Sequence, residues 1–170
     1  MNQLQLIIAF VILISCNREA VYNNTQEHYI EQVKEMQLKY ASAPGFLEKS
    51  AVIDEYQKRF NEFVKDSLHN NMSDFEVRIN YATLDHQNGQ NRLIISASNE
   101  PYASYIAIYP IEDLEEFHKS DYFRIFSDKK PGDILKLDMQ IEKNTILVSQ
   151  NQSSKPWCRV EMKIIHINTR

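Results

Sequence analysis

Histidine and cysteine are the side chains through which a small chain most readily does acid–base, nucleophilic or metal chemistry, and this sequence holds five of the first and two of the second. His28, His69, His86, His118 and His166 form none of the spacings HExxH, HxH or HxxxH that gather imidazoles on one face of an element. Glu27-His28 and Asp85-His86 are adjacent pairs. Neighbouring side chains diverge on a helix and on a strand alike, so neither pair makes a carboxylate–imidazole relay by itself, and these histidines read as surface residues. Asp85 and His86 stand beside Asn88-Gly89, a turn signal, and loop tips are where partners are often met, so the two are kept as candidate partner contacts.

Cys158 follows Trp157, with Lys155 and Arg159 close by in sequence. Cations lower a thiol's pKa, so Cys158 with a histidine brought to it by the fold could be a nucleophile. As a small apolar side chain at the start of a strand it belongs in the core. The carboxylate pairs Asp54-Glu55, Glu112-Asp113 and Glu115-Glu116 read as solvated helix faces. No GxSxG is present, and three glycines leave no room for a GxGxxG or GxxxxGK[ST] phosphate loop. No catalytic residue, metal site or cofactor is expected. The densest aromatic cluster is Tyr102, Tyr105, Tyr109, Phe117, Tyr122, Phe123 and Phe126. Tyrosine joins apolar area to a polar tip, as binding surfaces do, so Tyr102, Tyr105 and Tyr109 are candidate partner contacts, with core packing as the alternative.

The N-terminus carries a different chemistry. Residues 4–14 are apolar except Gln5, about half of what a helix needs to cross a bilayer and the length of an export signal's apolar segment. Leu13-Ile14-Ser15-Cys16 follows, and it resembles the lipobox of bacterial lipoproteins: a branched apolar residue, a tolerant position, a small residue, then cysteine. The resemblance covers residues 1–16. It implies that Cys16 receives a diacylglyceryl group, that residues 1–15 are removed as a signal peptide, and that the new amine is acylated by a palmitate-type chain. Two or three acyl chains anchor far more firmly than one, since each buried methylene contributes about 0.8 kcal/mol. The alternatives are an ordinary cleavable signal and a buried N-terminal element. The implied location is the bacterial cell envelope, on the periplasmic side of a membrane and facing away from the cytoplasm.

The rest of the composition is that of a globular domain: 43% apolar, 25% charged, formal charge −4. A mildly acidic body with no Lys/Arg block has no broad field to attract phosphate, so nucleic acid is not an expected partner. With Cys16 taken, Cys158 has no intramolecular partner, and packing must hold the core. Three Asn-x-Ser/Thr matches, at Asn23, Asn71 and Asn151, carry little weight in a chain rich in Asn and Ser.

Residues 16–24 read as a tether. Tyr29, Ile30, Val33, Met36 and Tyr40 then recur at three and four, an amphipathic helix. Ala43-Pro44-Gly45 breaks it. A second stripe, Phe46, Ile53, Tyr56, Phe60, Phe63, Val64 and Leu68, predicts a helix over 46–70, antiparallel to the first. The period then drops to two. Strands are expected at 75–82, 93–98, 103–109, 122–126, 133–141, 145–150 and 158–168, with a short helix at 111–119, a hairpin at Asn88-Gly89 and turns at Asn99-Glu100-Pro101, Lys130-Pro131-Gly132-Asp133 and Glu142-Lys143-Asn144. The fold class is α+β: a helical hairpin over 25–70, then a mostly antiparallel sheet or small sandwich over 71–170 with one short inserted helix, in one domain. A curved sheet hugging a helix, of the cystatin or NTF2 kind, is a second arrangement.

The function expected is that of a lipid-anchored envelope protein acting as a non-enzymatic binding or accessory module for a protein partner or ligand. The alternative is a small envelope hydrolase using Cys158 or a His/carboxylate pair.

Overall fold

The computed structural model describes residues 24–149 and 155–168. The expectations of a signal peptide over 1–15, a lipidated Cys16 and a tether fall on residues 1–23, outside the described residues, except that Asn24, expected to end the tether, opens the first helix. Two helices come first, α1 at Asn24–Ser42 and α2 at Phe46–Glu62, and a π-helical turn at Phe63–Ser67 ends the second. Five strands follow: β1 at Asn71–Gln87, β2 at Gln90–Asn99, β3 at Ala103–Ile111, β4 at Ile134–Leu147 and β5 at Trp157–Asn168. Two short helices, α3 at Leu114–His118 and α4 at Asp121–Ser127, connect β3 to β4.

The α+β class and the N-terminal helical pair stand as expected, but the sheet is neither open nor a sandwich. It closes into a barrel of order β1-β2-β3-β5-β4, with β4 pairing back onto β1. Four pairings are antiparallel and β3·β5 is parallel. Within it β4-β1-β2-β3 is a Greek key, and β5 fills the remaining gap. Closure pairs every strand on both sides over part of its length, with β1 beyond Ile79 and β3 beyond Ile106 paired through β2 alone.

Bulges make the closure possible and explain three misread segments. A bulge lets two residues oppose one, bends the strand and reverses the in/out phase beyond it. In β4 the register shifts between Ile141 and Lys143, so Glu142 and Lys143 both face solvent between the buried Ile141 and Asn144. Two polar residues in a row look like a turn; β4 is one continuous strand, not two. In β5, Met139 pairs with Ile164 and Asp138 with His166. Ile164 and Ile167 are therefore both inward while Ile165 is 54% exposed. The run of apolar residues at the end of β5 thus marks a change of phase within one strand. In β1, Met72 and Phe75 flank another shift, so the strand begins four residues before the first expected one.

The expected strand at 122–126 is helix α4. Its aromatic content favours a strand, but the Ser120 hydroxyl accepts from the Phe123 N–H at 3.2 Å and caps a helix, and Tyr122 and Phe126 stack one turn apart at 6.5 Å. Ile111 belongs to the end of β3, paired with Asn91, and α3 starts later than expected, capped by the Asp113 carboxylate accepting from Glu115 N and Glu116 N. The Asn88-Gly89 hairpin is present, with φ of 54° and 77° as a two-residue left-handed turn requires.

Inward side chains of all five strands fill the barrel, and the helical pair seals one end with Tyr29, Val33, Met36, Tyr56, Phe60 and Val64. Apolar faces alone would leave the helices free to slide. Glutamines fix their position. Gln26 donates to Glu76 O at 2.6 Å and accepts from Glu76 N at 3.0 Å; Gln57 donates to Asn144 O and accepts from Ile146 N, both at 2.8 Å, just past the β4 bulge. Each amide thus pairs with strand backbone as a neighbouring strand would. Gln37 donates to Pro101 O and Pro156 O. Gln57→Ala leaves a strand N–H and C=O unpaired and is expected to lower unfolding free energy by about 1–3 kcal/mol, read as the urea midpoint.

Candidate binding face

The barrel's outer surface over β1, β2 and β3 is where the structure collects exposed apolar side chains on a rigid scaffold. The register sets it out in rows: Tyr81 with Ser96 and Ile106, then Thr83 with Ile94 and Ile108, then Asp85 with Arg92 and Pro110. Tyr81 is 48% and Ile108 53% exposed, with Ile94 and Ile106 half-buried between them. The signal was in the sequence, since Leu93-Ile94-Ile95 and the run 105–109 are apolar on both faces. Within one strand such a run reports only strand propensity; the surface exists only once three strands align. At one end, Ser98 donates to Asn80 Oδ1 at 3.0 Å, and the face runs into a hollow of about 470 Å3 lined by Asn80, Ser98, Glu100, Ser104, Lys155 and Trp157 among others.

The candidate contacts named from sequence are dispersed. Tyr105 is fully buried, its ring edge-on to Phe75 at 5.5 Å, so it is a core residue and not a surface contact. Tyr109 has a structural post: β3 and β5 pair only from Ala103 to Ile106, and beyond that the Tyr109 hydroxyl fills the gap, donating to Ile164 O at 3.3 Å and accepting from Ile164 N at 2.5 Å. Burial pushes its pKa up. Tyr122 also donates to Ile164 O. Tyr102 is half-buried, with the Lys34 ammonium 5.2 Å above its ring. Asp85 and His86 do reach the surface, at the hairpin end of the apolar rows. Asp85 accepts from Arg92 at 2.5 Å, and His86 Nδ1 lies 2.8 Å from Asn91 Oδ1. These bonds tie the two strands together at the edge of the face.

Cys158 lies inside the barrel with no exposed surface. Burial pushes its thiol up to about 12, an effect partly offset by the Tyr29 hydroxyl beside it, so the thiol is protonated at neutral pH. A reactive cysteine needs the opposite environment. The five histidines are exposed and belong to five separate parts of the chain. Among the described residues no group of three His, Cys, Asp or Glu is placed to hold a metal, and no helix is long and apolar enough to cross a membrane.

The fold and face define a five-stranded Greek-key barrel, sealed at one end by a helical hairpin and carrying an apolar strip on three of its strands. No family model, curated protein or solved structure matches the chain.

Proposed function

We propose that this chain is a non-enzymatic binding module of the bacterial cell envelope, anchored through lipidated Cys16 and engaging a protein partner through the outer face of β1, β2 and β3. The observation that carries the binding half is the apolar strip from Tyr81 through Ile94 to Ile108, backed on β2 and β3 by the buried Leu93, Ile95, Tyr105 and Ala107. Five-stranded Greek-key barrels of the OB kind use their strand 2–3 surface for binding, a fold-level analogy that favours the same face. The sealed position of Cys158 weighs against the hydrolase alternative. The anchoring half rests on Leu13-Ile14-Ser15-Cys16.

Two measurements test the two halves separately. Intact mass of the membrane-extracted chain should give a terminus at Cys16 carrying acyl groups; a retained Met1 overturns the anchor. Ile108→Asp changes a half-exposed side chain, so stability should shift by no more than about 0.5 kcal/mol. The same substitution should cut capture of the partner recovered by the wild-type chain by at least about tenfold, the consequence of placing an unpaired charge in an apolar contact. Undiminished capture of that partner would move the binding surface elsewhere.

A further inference from the structure

The three most exposed large apolar side chains among the described residues are Phe46 at 83%, Leu47 at 79% and Leu38 at 72%; every other one stands at 54% or less. All three flank one turn. Leu38 is near the end of α1, and Phe46 and Leu47 open α2. From these positions we infer that the tip of the helical hairpin inserts into the surface of the bilayer that holds the lipid on Cys16, an inference that rests on the anchoring proposed above.

Chain length makes the contact geometrically available. Residues 17–23 separate Cys16 from α1 and span at most about 25 Å when extended. The 19 residues of α1 are about 28 Å long. The tip lies at the far end of α1 from the tether, yet a tilted α1 brings lipid and tip to the same plane. The tip is also held in place. Gln37, next to Leu38, donates to the carbonyls of Pro101 and Pro156, fixing this end of α1 on the barrel so that the apolar apex points away from the core. Its surroundings are those of a membrane-interface residue set. Tyr40 is half-buried beneath the Lys49 ammonium at 5.2 Å, whereas Lys39 turns away along the hairpin to Glu35 at 3.6 Å and Glu55 at 3.5 Å, leaving Tyr40 and Lys49 as the pair at the tip. Such side chains keep a polar end in the headgroup layer while their stems cover apolar surface. Glu48 keeps its carboxylate against Gly45 at the N-terminus of α2, so one negative charge stands at the tip, level with the headgroups when the side chains of Phe46 and Leu47 insert.

The test uses the full chain reconstituted in vesicles of phosphatidylethanolamine and phosphatidylglycerol, with bromine on the acyl chains in one set and not in the other. Phe46→Trp places an emitter at the tip, and the wild-type chain, which carries Trp157, supplies the background to subtract. Brominated lipid is expected to reduce the tip emission at least twofold. Intact mass of the same sample reports on Cys16 independently. Unquenched emission from a chain whose Cys16 carries its lipid overturns the inference and leaves the anchor standing. Quenching in a chain with unmodified Cys16 supports the tip contact and overturns the anchor alone. Emission that is insensitive to bromine but shifts to the blue as protein concentration rises assigns the tip to a second copy of the chain and overturns the inference as well.

Discussion

Phe75→Ala is expected to lower the free energy of unfolding by about 3–5 kcal/mol, a large share of the roughly 5–15 kcal/mol that holds a domain of this kind. Phe75 has no exposed surface and stands where helices meet barrel: its ring is 5.5 Å from Tyr105 and 6.4 Å from Tyr29, both edge-on, and Tyr29 in turn lies 5.6 Å from Phe60 of α2. Truncation removes ring burial and two edge-to-face contacts at once and leaves a cavity that closed strands cannot collapse to fill. Phe75→Leu, which keeps most of the volume, should cost clearly less, and Phe46→Ala, at an exposed ring, about 0.5 kcal/mol or less. The order of the three urea midpoints is the check. Equal effects at Phe75 and Phe46 would mean that the aromatic junction does not join the hairpin to the barrel.

Alkaline pH supplies the second large effect. Cys158 is raised by burial from its ordinary value of 9.0 to about 12. Below pH 9 the thiol is protonated folded and unfolded, so its contribution to stability is fully present and flat. Between pH 9 and about 12 the unfolded chain binds fewer protons than the native one, and stability falls as pH rises. From the thiol alone the loss is about 1 kcal/mol by pH 10 and about 2–3 kcal/mol by pH 11. Tyr29, raised well above 10.0 first by burial and then by the neighbouring thiol and Tyr105, adds its own loss above pH 10. Tyr109, Tyr122 and Tyr56, also raised by burial, add to that loss as pH nears 10, so urea melts at pH 8, 9 and 9.5 cover the cysteine's window, where Cys158→Ala should make the curve shallower while its absolute stability shifts by a constant. Parallel curves for the two chains would place the thiol in water.

How much of this could be read from the chain depends on how local each determinant is. The helical pair was legible because spacing at three and four, with Ala43-Pro44-Gly45 between, is a property of neighbouring residues; so was the Asn88-Gly89 hairpin, which needs only two residues tolerant of positive φ. Three departures trace to one cause. A bulge breaks the period of two without ending a strand, so Glu142-Lys143 has the pattern of a turn, Ile164-Ile165 interrupts the alternation of β5, and β1 shows no period before Phe75 although it begins at Asn71. The helix at α4 was hidden behind its strand-like aromatics, decided by the Ser120 cap. The candidate surface was half legible: Asp85 and His86 are at the surface, whereas Tyr105 and Tyr109 were drawn inward by barrel closure and by a gap between β3 and β5 that no local pattern reports.

What the sequence determined by itself, then, is the N-terminal helical pair, the α+β class, the Asn88-Gly89 hairpin and the lipobox-like motif at Cys16, because periodicity, turns and a four-residue signature act within a few residues of one another. Only the tertiary structure decided that the strands close, that Cys158 and Tyr105 go inside, and that Tyr81, Ile94 and Ile108 align across three strands while Phe46 and Leu47 stay out. Those outcomes depend on pairings between residues far apart in the chain. Loop closure and bulge position set them, and a short window of sequence contains neither.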